Sequence, residues 1–212
     1  MTVAKRGGRV CNARSASLRH VTREQLLPVM GSVEASGFEH RRDTSVVFVR
    51  VMPHPRVAEL TAALDEARAR ISGLLESVAD DQDWRPDDGH WSFRSIAAHM
   101  EACDTECLLV RVRQIAAGAK PEFEFYNNDG WDFSDRDLRD SLRAWKESRA
   151  HVFDFVRSVS LERLSRTGQH RTYGEITVTD YLEIGLDHDR EHLKDLEGVL
   201  AARQESSGPR GR

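Results

Sequence analysis

From Pro55 onward the apolar positions recur at helical spacing. Val57, Leu60, Leu64, Ala67, Ile71, Leu74 and Val78 step by three and four, which predicts one amphipathic helix of about six turns. The polar stretch DDQDWRPDDGH at 80–90 ends it, with Pro and Gly marking a loop. A second helix opens at WSFRSIAAHM. Ser92 is its expected N-cap, and Trp91 and Ile96 hold the positions of a hydrophobic staple. This helix is expected to run to about Gly118, with Ile96, His99, Cys103, Val110 and Ile115 facing inward. A loop with five aromatic residues covers 119–133, and Ser134 with Asp137 predicts the cap of a third helix. Leu138, Leu142, Trp145, Val152, Phe155 and Val159 form its stripe. RTYGEITV reads as a short extended turn, and Thr177 with Asp180 as the start of a fourth helix. The fourth stripe is Tyr181, Ile184, His188, His192, Leu196 and Val199.

Four helices long enough to share one core predict an all-α fold, a four-helix bundle over residues 52–204. A domain of about 150 residues buries roughly 68–70% of its unfolded surface, ample for independent folding. Residues 1–51 are different. They are rich in Arg, Ser, Ala and Gly, and carry nine Lys/Arg against four Asp/Glu, a net of +5, while 52–212 carry 22 against 31, a net of −9. Such a segment buries too little apolar surface to offset the entropy of ordering, so 1–51 is expected to be disordered, and 205–212 is expected to be a disordered tail. SVVFVRV at 45–51 has strand character but no evident partner. One reading makes Met52 the biological start and 1–51 an upstream read-through; the other makes 1–51 a basic tail for an acidic partner. The intact mass of the protein made in its own host separates them.

Composition narrows the function. The chain is 39% hydrophobic and 31% charged with a net charge of −4, and 52–212 has no basic stripe, so no nucleic-acid partner is expected. No apolar run approaches the roughly 18 residues of a spanning helix, and no signal peptide is evident, so no membrane association is expected. Three cysteines (Cys11, Cys103 and Cys107) at irregular spacing suit a reducing cytoplasm.

The chemistry centres on DHDREHLKDLEG at 187–198. His188 and His192 are four apart, so both imidazoles lie on one helix face. They share the apolar seam instead of the polar face, and His99 on the second helix is the candidate third partner. Three histidines would bind a divalent metal, zinc or nickel by ligand type, and leave a position open, the layout of a catalytic site. The plainer reading is a pair of seam histidines bonded to carboxylates such as Asp187 or Glu191. Cys103, one turn past His99, is a possible fourth ligand that would close the site, but small buried cysteines are commoner; Cys107 reads as packing. Glu106 is a solvated glutamate or an acceptor behind the site. His20, His40, His54, His90, His151 and His170 read as tail, loop or surface residues. Trp131 is a candidate pocket wall, and Arg111 or Arg113 a candidate holder of a carboxylate.

WSFRSIAAHM, CLLVRVRQI, NNDGWDF and GEITVTDYLEIGLDHDREHLKDLEG, in that order across roughly 55–202, resemble the DinB-like family of bacterial four-helix bundles. The resemblance implies an up-down-down-up bundle and a metal triad at His99, His188 and His192. It also implies a homodimer acting on a small-molecule substrate. Characterised members include transferases and an isomerase that use a low-molecular-weight thiol cosubstrate, so metal-activated thiol transfer or isomerisation is one expectation. A hydrolase using water at the same triad is a second, and a non-catalytic metal- or small-molecule-binding bundle a third.

Overall fold

The computed structural model describes residues 54–128 and 130–207. The extension expected at 1–51, including SVVFVRV and Met52's immediate upstream neighbours, lies outside the described residues, as do 208–212.

Helix α1 spans Pro55–Glu76. Pro55 sits at its first position, where a missing N–H costs nothing, and His54 Nδ1 accepts from the Arg56 N–H. The expected stripe is buried from Val57 to Ile71, but its last inward residue within the helix is Leu75; Leu74 is half-buried. Leu75 follows Ile71 by four, which keeps pace with the 3.6-residue turn better than another step of three.

Ser92 caps α2 (Phe93–Ala102), accepting from the Ser95 N–H. A π-helical segment, Cys103–Leu108, then leads directly into α3 (Leu109–Ala117), which stops at Gly118 in the left-handed conformation, φ 83°. The expectation that Val110 faces inward is corrected here. The wider turn absorbs a residue, so the buried positions become Cys107, Leu108, Val112, Ile115 and Ala116, while Val110 is turned to solvent.

The third long helix, α4 (Leu138–Ser158), starts later than Ser134 implies. Asp137 is the cap, its carboxylate accepting from the Asp140 N–H. Phe153 and Val156 enter the core, with Phe155 only half-buried. A single turn, α5 (Leu161–Leu164), follows.

The stretch read as an extended turn belongs to a three-stranded sheet. β2 (Thr167–His170) pairs parallel with β1 (Glu122–Phe123) and antiparallel with β3 (Gly174–Thr177). Gly174, at φ 76°, lets the hairpin close. Thr177 and Asp180 then bond reciprocally, as expected, and start α6 (Val178–Ser207), so the first positions of the expected tail are helical.

Ion pairs give the helix directions. Arg56 pairs with Glu183 and Arg70 with Glu197, so α1 and α6 run parallel. The backbone N–H at the head of α4 bonds to Gln82 Oε1, and Arg94 near the head of α2 reaches the Arg136 carbonyl. At the far end Arg163 reaches the Ala116 carbonyl. Thus α2–α3 and α4 also run parallel. Asp81, just past the end of α1, pairs with Arg203 near the end of α6, at the end where α2 and α4 begin. The order is up-down-down-up.

The core falls into two apolar halves. One gathers residues such as Leu60, Leu64, Val112, Val152 and Leu182; the other gathers Ile71, Leu75, Phe93, Met100, Trp145 and Leu196. Each such buried side chain contributes about 1.5–3 kcal/mol. Asp104, Arg149 and Asp189 lie buried at the level between the halves and carry a polar layer across the bundle.

Candidate metal centre

The structure brings His99, His188 and His192 together. His99 Nε2 lies 3.1 Å from His188 Nε2 and 3.0 Å from His192 Nε2. α6 supplies the pair at one face, and α2 supplies His99 from the opposing wall. The two α6 histidines do not sit at the centre of the seam. Leu182, Leu186, Asp189, Leu193 and Leu196 occupy it, leaving His188 and His192 on its flank, half-buried beside a cavity.

The His99 and His192 imidazoles are prepared as lone-pair donors. Asn128 Oδ1 is 2.5 Å from His99 Nδ1, and the Asn128 amide donates to the Tyr126 hydroxyl at 3.4 Å. The Asn128 oxygen therefore faces the ring, His99 Nδ1 carries the proton, and Nε2 points bare at its neighbours. Burial, then His188, push the His99 pKa down to about 3 against the opposing pull of Asn128. Burial, then His188 and His99, take His192 to about 2. Trp91 backs both rings, 4.4 Å from His99 and stacked 6.1 Å from His192 between centroids.

Behind the histidines lies the polar layer. Arg149 holds Asp104 in a two-point fork at 2.5 and 2.8 Å, Asp189 at 2.8 and 3.3 Å, and the Leu64 carbonyl at 3.3 Å. All five guanidinium N–H groups are used. Asp189 Oδ1 lies 3.6 Å from His188 Nδ1. Burial opposes ionisation of Asp189, but Arg149 and His188 outweigh it and hold the carboxyl below its ordinary value. Burial pushes Asp104 up against the pull of Arg149. Arg149 thus faces two carboxyl groups, of which Asp189 lies beside His188 and is held ionised.

This donor set fits a divalent metal. Bare nitrogens 3.0–3.1 Å apart repel unless a cation or proton lies between them. The spacing is near the ~3.3 Å between neighbouring nitrogens around a tetrahedral ion with ~2.0–2.1 Å bonds. The Asp189 carboxylate beside His188 favours a cation in front. Cys103 is also close, its sulfur 3.5 Å from His99 Nε2 and 3.8 Å from His188 Nε2. His99, Cys103 and His188 place one ligand atom each within 4.8 Å of the others, and His192 joins this group through its 3.0 Å approach to His99.

The cavity beside the histidines has a volume of about 390 Å³, within the ~300–1,000 Å³ typical of small-molecule sites. Several expectations change here. Trp131 is exposed and lies outside the cavity lining, which uses Phe125, Tyr126, Tyr173 and Tyr181 instead. Arg111 lines the cavity, whereas Arg113 is exposed and lies over the Phe155 ring. His170, read as a surface residue, is buried in β2 and lines the cavity. Cys107 is buried as expected, with its sulfur 3.1 Å from the Tyr181 hydroxyl. Glu106 is exposed. The carboxylates considered for the histidines do not serve them: Asp187 leans toward Arg190, and the residues behind the site are Asn128 and Asp189. Asp189 was within reach of sequence reasoning, since it stands between the two histidines; Asn128, in a loop, carried no such signal.

A family model of the DinB superfamily matches residues 50–196. The chain belongs to the DinB superfamily. Among solved structures, it is similar to YfiT from Bacillus subtilis, described as a probable metal-dependent hydrolase with an unusual four-helix bundle topology. The TM-score is 0.58 at 19% sequence identity, over 79% of this chain and 94% of that one. That likeness agrees with the bundle directions derived above. No curated protein matches the sequence. Among the described residues, no helix of this DinB superfamily member is long and apolar enough to cross a membrane.

Proposed function

We propose that this protein is a divalent-metal-dependent enzyme that hydrolyses a small molecule, with His99, His188 and His192 as the metal ligands. The observation that carries this reading is the approach of the His188 and His192 Nε2 atoms to His99 Nε2, at 3.1 and 3.0 Å, beside a 390 Å³ cavity. The description of YfiT as a metal-dependent hydrolase supports it. Zinc and nickel suit an all-imidazole set. A metal held there supplies Lewis acidity, polarising an acyl oxygen or acidifying a nucleophile. The chain's own residues do the rest. Asn128 fixes the His99 tautomer, Asp189 orients His188, and Trp91 shields the His99 and His192 rings. The aromatic walls exclude bulk water from the bound substrate. The thiol-activating reaction implied by the family resemblance would use the same ligands and is read out by the same assay.

The test begins with metal content, measured by mass spectrometry on protein purified without a histidine tag, for the wild type, His99→Ala and His188→Ala. About one metal per chain, lost in both variants, is expected. Turnover of an ester and amide panel with and without added thiols follows. Thiol-independent turnover supports hydrolysis, and turnover only with thiol replaces it with thiol transfer. No metal after incubation with zinc, nickel and manganese overturns the proposal.

A further inference from the structure

The end of the cavity away from the histidines has a chemistry of its own. Arg111 lines it, half-buried, with one N–H on the Tyr181 hydroxyl at 2.9 Å and another on the Glu124 carbonyl at 2.7 Å. Its cation lies 5.0 Å from the Phe123 ring centroid. Both acceptors are neutral, and three of the five guanidinium N–H groups remain. Among the described residues, no carboxylate lies within ion-pair distance of Arg111. Arg149, buried in the same bundle, has two carboxylates, so the missing counter-charge at Arg111 is a local choice.

His170 stands at the same end. It is 2% exposed and lines the cavity. Its Nδ1 accepts from the backbone N–H groups of Thr172 and Tyr173 at 3.1 and 3.4 Å. The proton is therefore on Nε2, which has no protein acceptor among the described residues. Burial, then the nearby Arg111 charge, hold the imidazole below its ordinary pKa against the pull of Glu124. The histidine end is instead flanked by Asp187, Asp189 and Glu191.

From these observations we propose that Arg111 and His170 form a carboxylate-binding subsite, and that the substrate is an elongated small molecule with a carboxylate at one end and the reacting group at the other. This rests on the functional reading above. Arg111 bonds to Tyr181, and Tyr181 stands seven residues before His188 on α6, so the two ends lie about 10 Å apart along the helix at ~1.5 Å per residue. Phe125, Tyr173 and Tyr181 line the cavity with their rings against His170, an aromatic surface beside the carboxylate end that suits an apolar or aromatic spacer. The planar guanidinium fork matches a carboxylate in two-point geometry, and the uncompensated, half-buried charge gains from acquiring one.

The probes are phenylalkanoates of increasing chain length and their matched carboxamides, with binding to the full-length, metal-loaded protein measured by calorimetry. Carboxylates are expected to bind at least about tenfold more tightly than their amides, the loss of a charged hydrogen-bonded partner. Arg111→Gln is expected to abolish that preference and leave amide affinity unchanged. Melting temperature checks that this variant folds, and Arg111→Lys, which keeps the charge without the fork, is expected to retain part of the preference. His99→Ala removes the proposed metal site and is expected to keep the carboxylate preference, so failure of the metal reading leaves this subsite standing. Equal binding of acid and amide, an unchanged preference in folded Arg111→Gln, or no binding of any acid at millimolar concentration overturns the proposal.

Discussion

At the scale of single residues, the site depends on which nitrogen of His99 carries its proton. Asn128 decides this through one hydrogen bond, and is itself oriented by Tyr126. Asn128→Ala leaves a buried Nδ1–H without an acceptor and frees the ring to flip. Partners of this kind are commonly worth 10–100-fold in metal affinity. Chelator competition on wild type and variant checks it, and a shift of less than threefold would show that packing against Trp91 alone orients the ring. The four-residue spacing placed His188 and His192 on one helix face, a weak signal by itself, and His99 joined them only through the expected packing of two helices and the family resemblance. Asn128 was not legible, because 29 residues of helix, loop and strand separate it from His99. His170 was misread for a related reason. Its strand, TGQH, has no apolar alternation, and only pairing with β1 and β3 buries it.

At the scale of elements, regular stripes reported themselves and irregular ones did not. α1 follows the helical period along most of its length, and the Ser92 and Thr177 caps were readable from side chains that can only act locally. The start of α4 was displaced because Ser134 and Asp137 both look like caps, and Asp132 takes the Ser134 N–H into a turn of its own. The π-helical segment had no signature in the spacing of apolar residues, since Cys103, Cys107 and Leu108 satisfy either register. β1 is two residues long and acquires its meaning from Gly168 in β2, where an added Cβ would come within 3.0 Å of the Phe123 ring.

At the scale of the whole molecule, the charged layer of Asp104, Arg149 and Asp189 joins the π-helical segment, α4 and α6 between the two apolar halves. The apolar stripes carried no sign of these residues, because a charge reads as solvent-exposed until its partners are known. Arg149→Met strands two buried carboxylates and is expected to cost about 3–5 kcal/mol. Combining it with Asp104→Leu and Asp189→Leu is expected to recover much of that. Urea unfolding of the single and triple variants measures both, and a single variant within 1 kcal/mol of wild type would show that water reaches the layer. On a regular helix, twelve positions turn His99 and Arg111 about 120° apart around the axis. With one residue taken up in the wide turn, the difference falls to about 20°. The segment thus acts as a phase shifter, letting one rod aim a metal ligand and an anion-binding cation into the same chamber. Deleting Thr105, which is exposed within it, removes the extra residue and leaves eleven positions on a regular helix with the same ~20° phase, so metal binding and the preference for acids over amides are both expected to survive, checked by the same calorimetry.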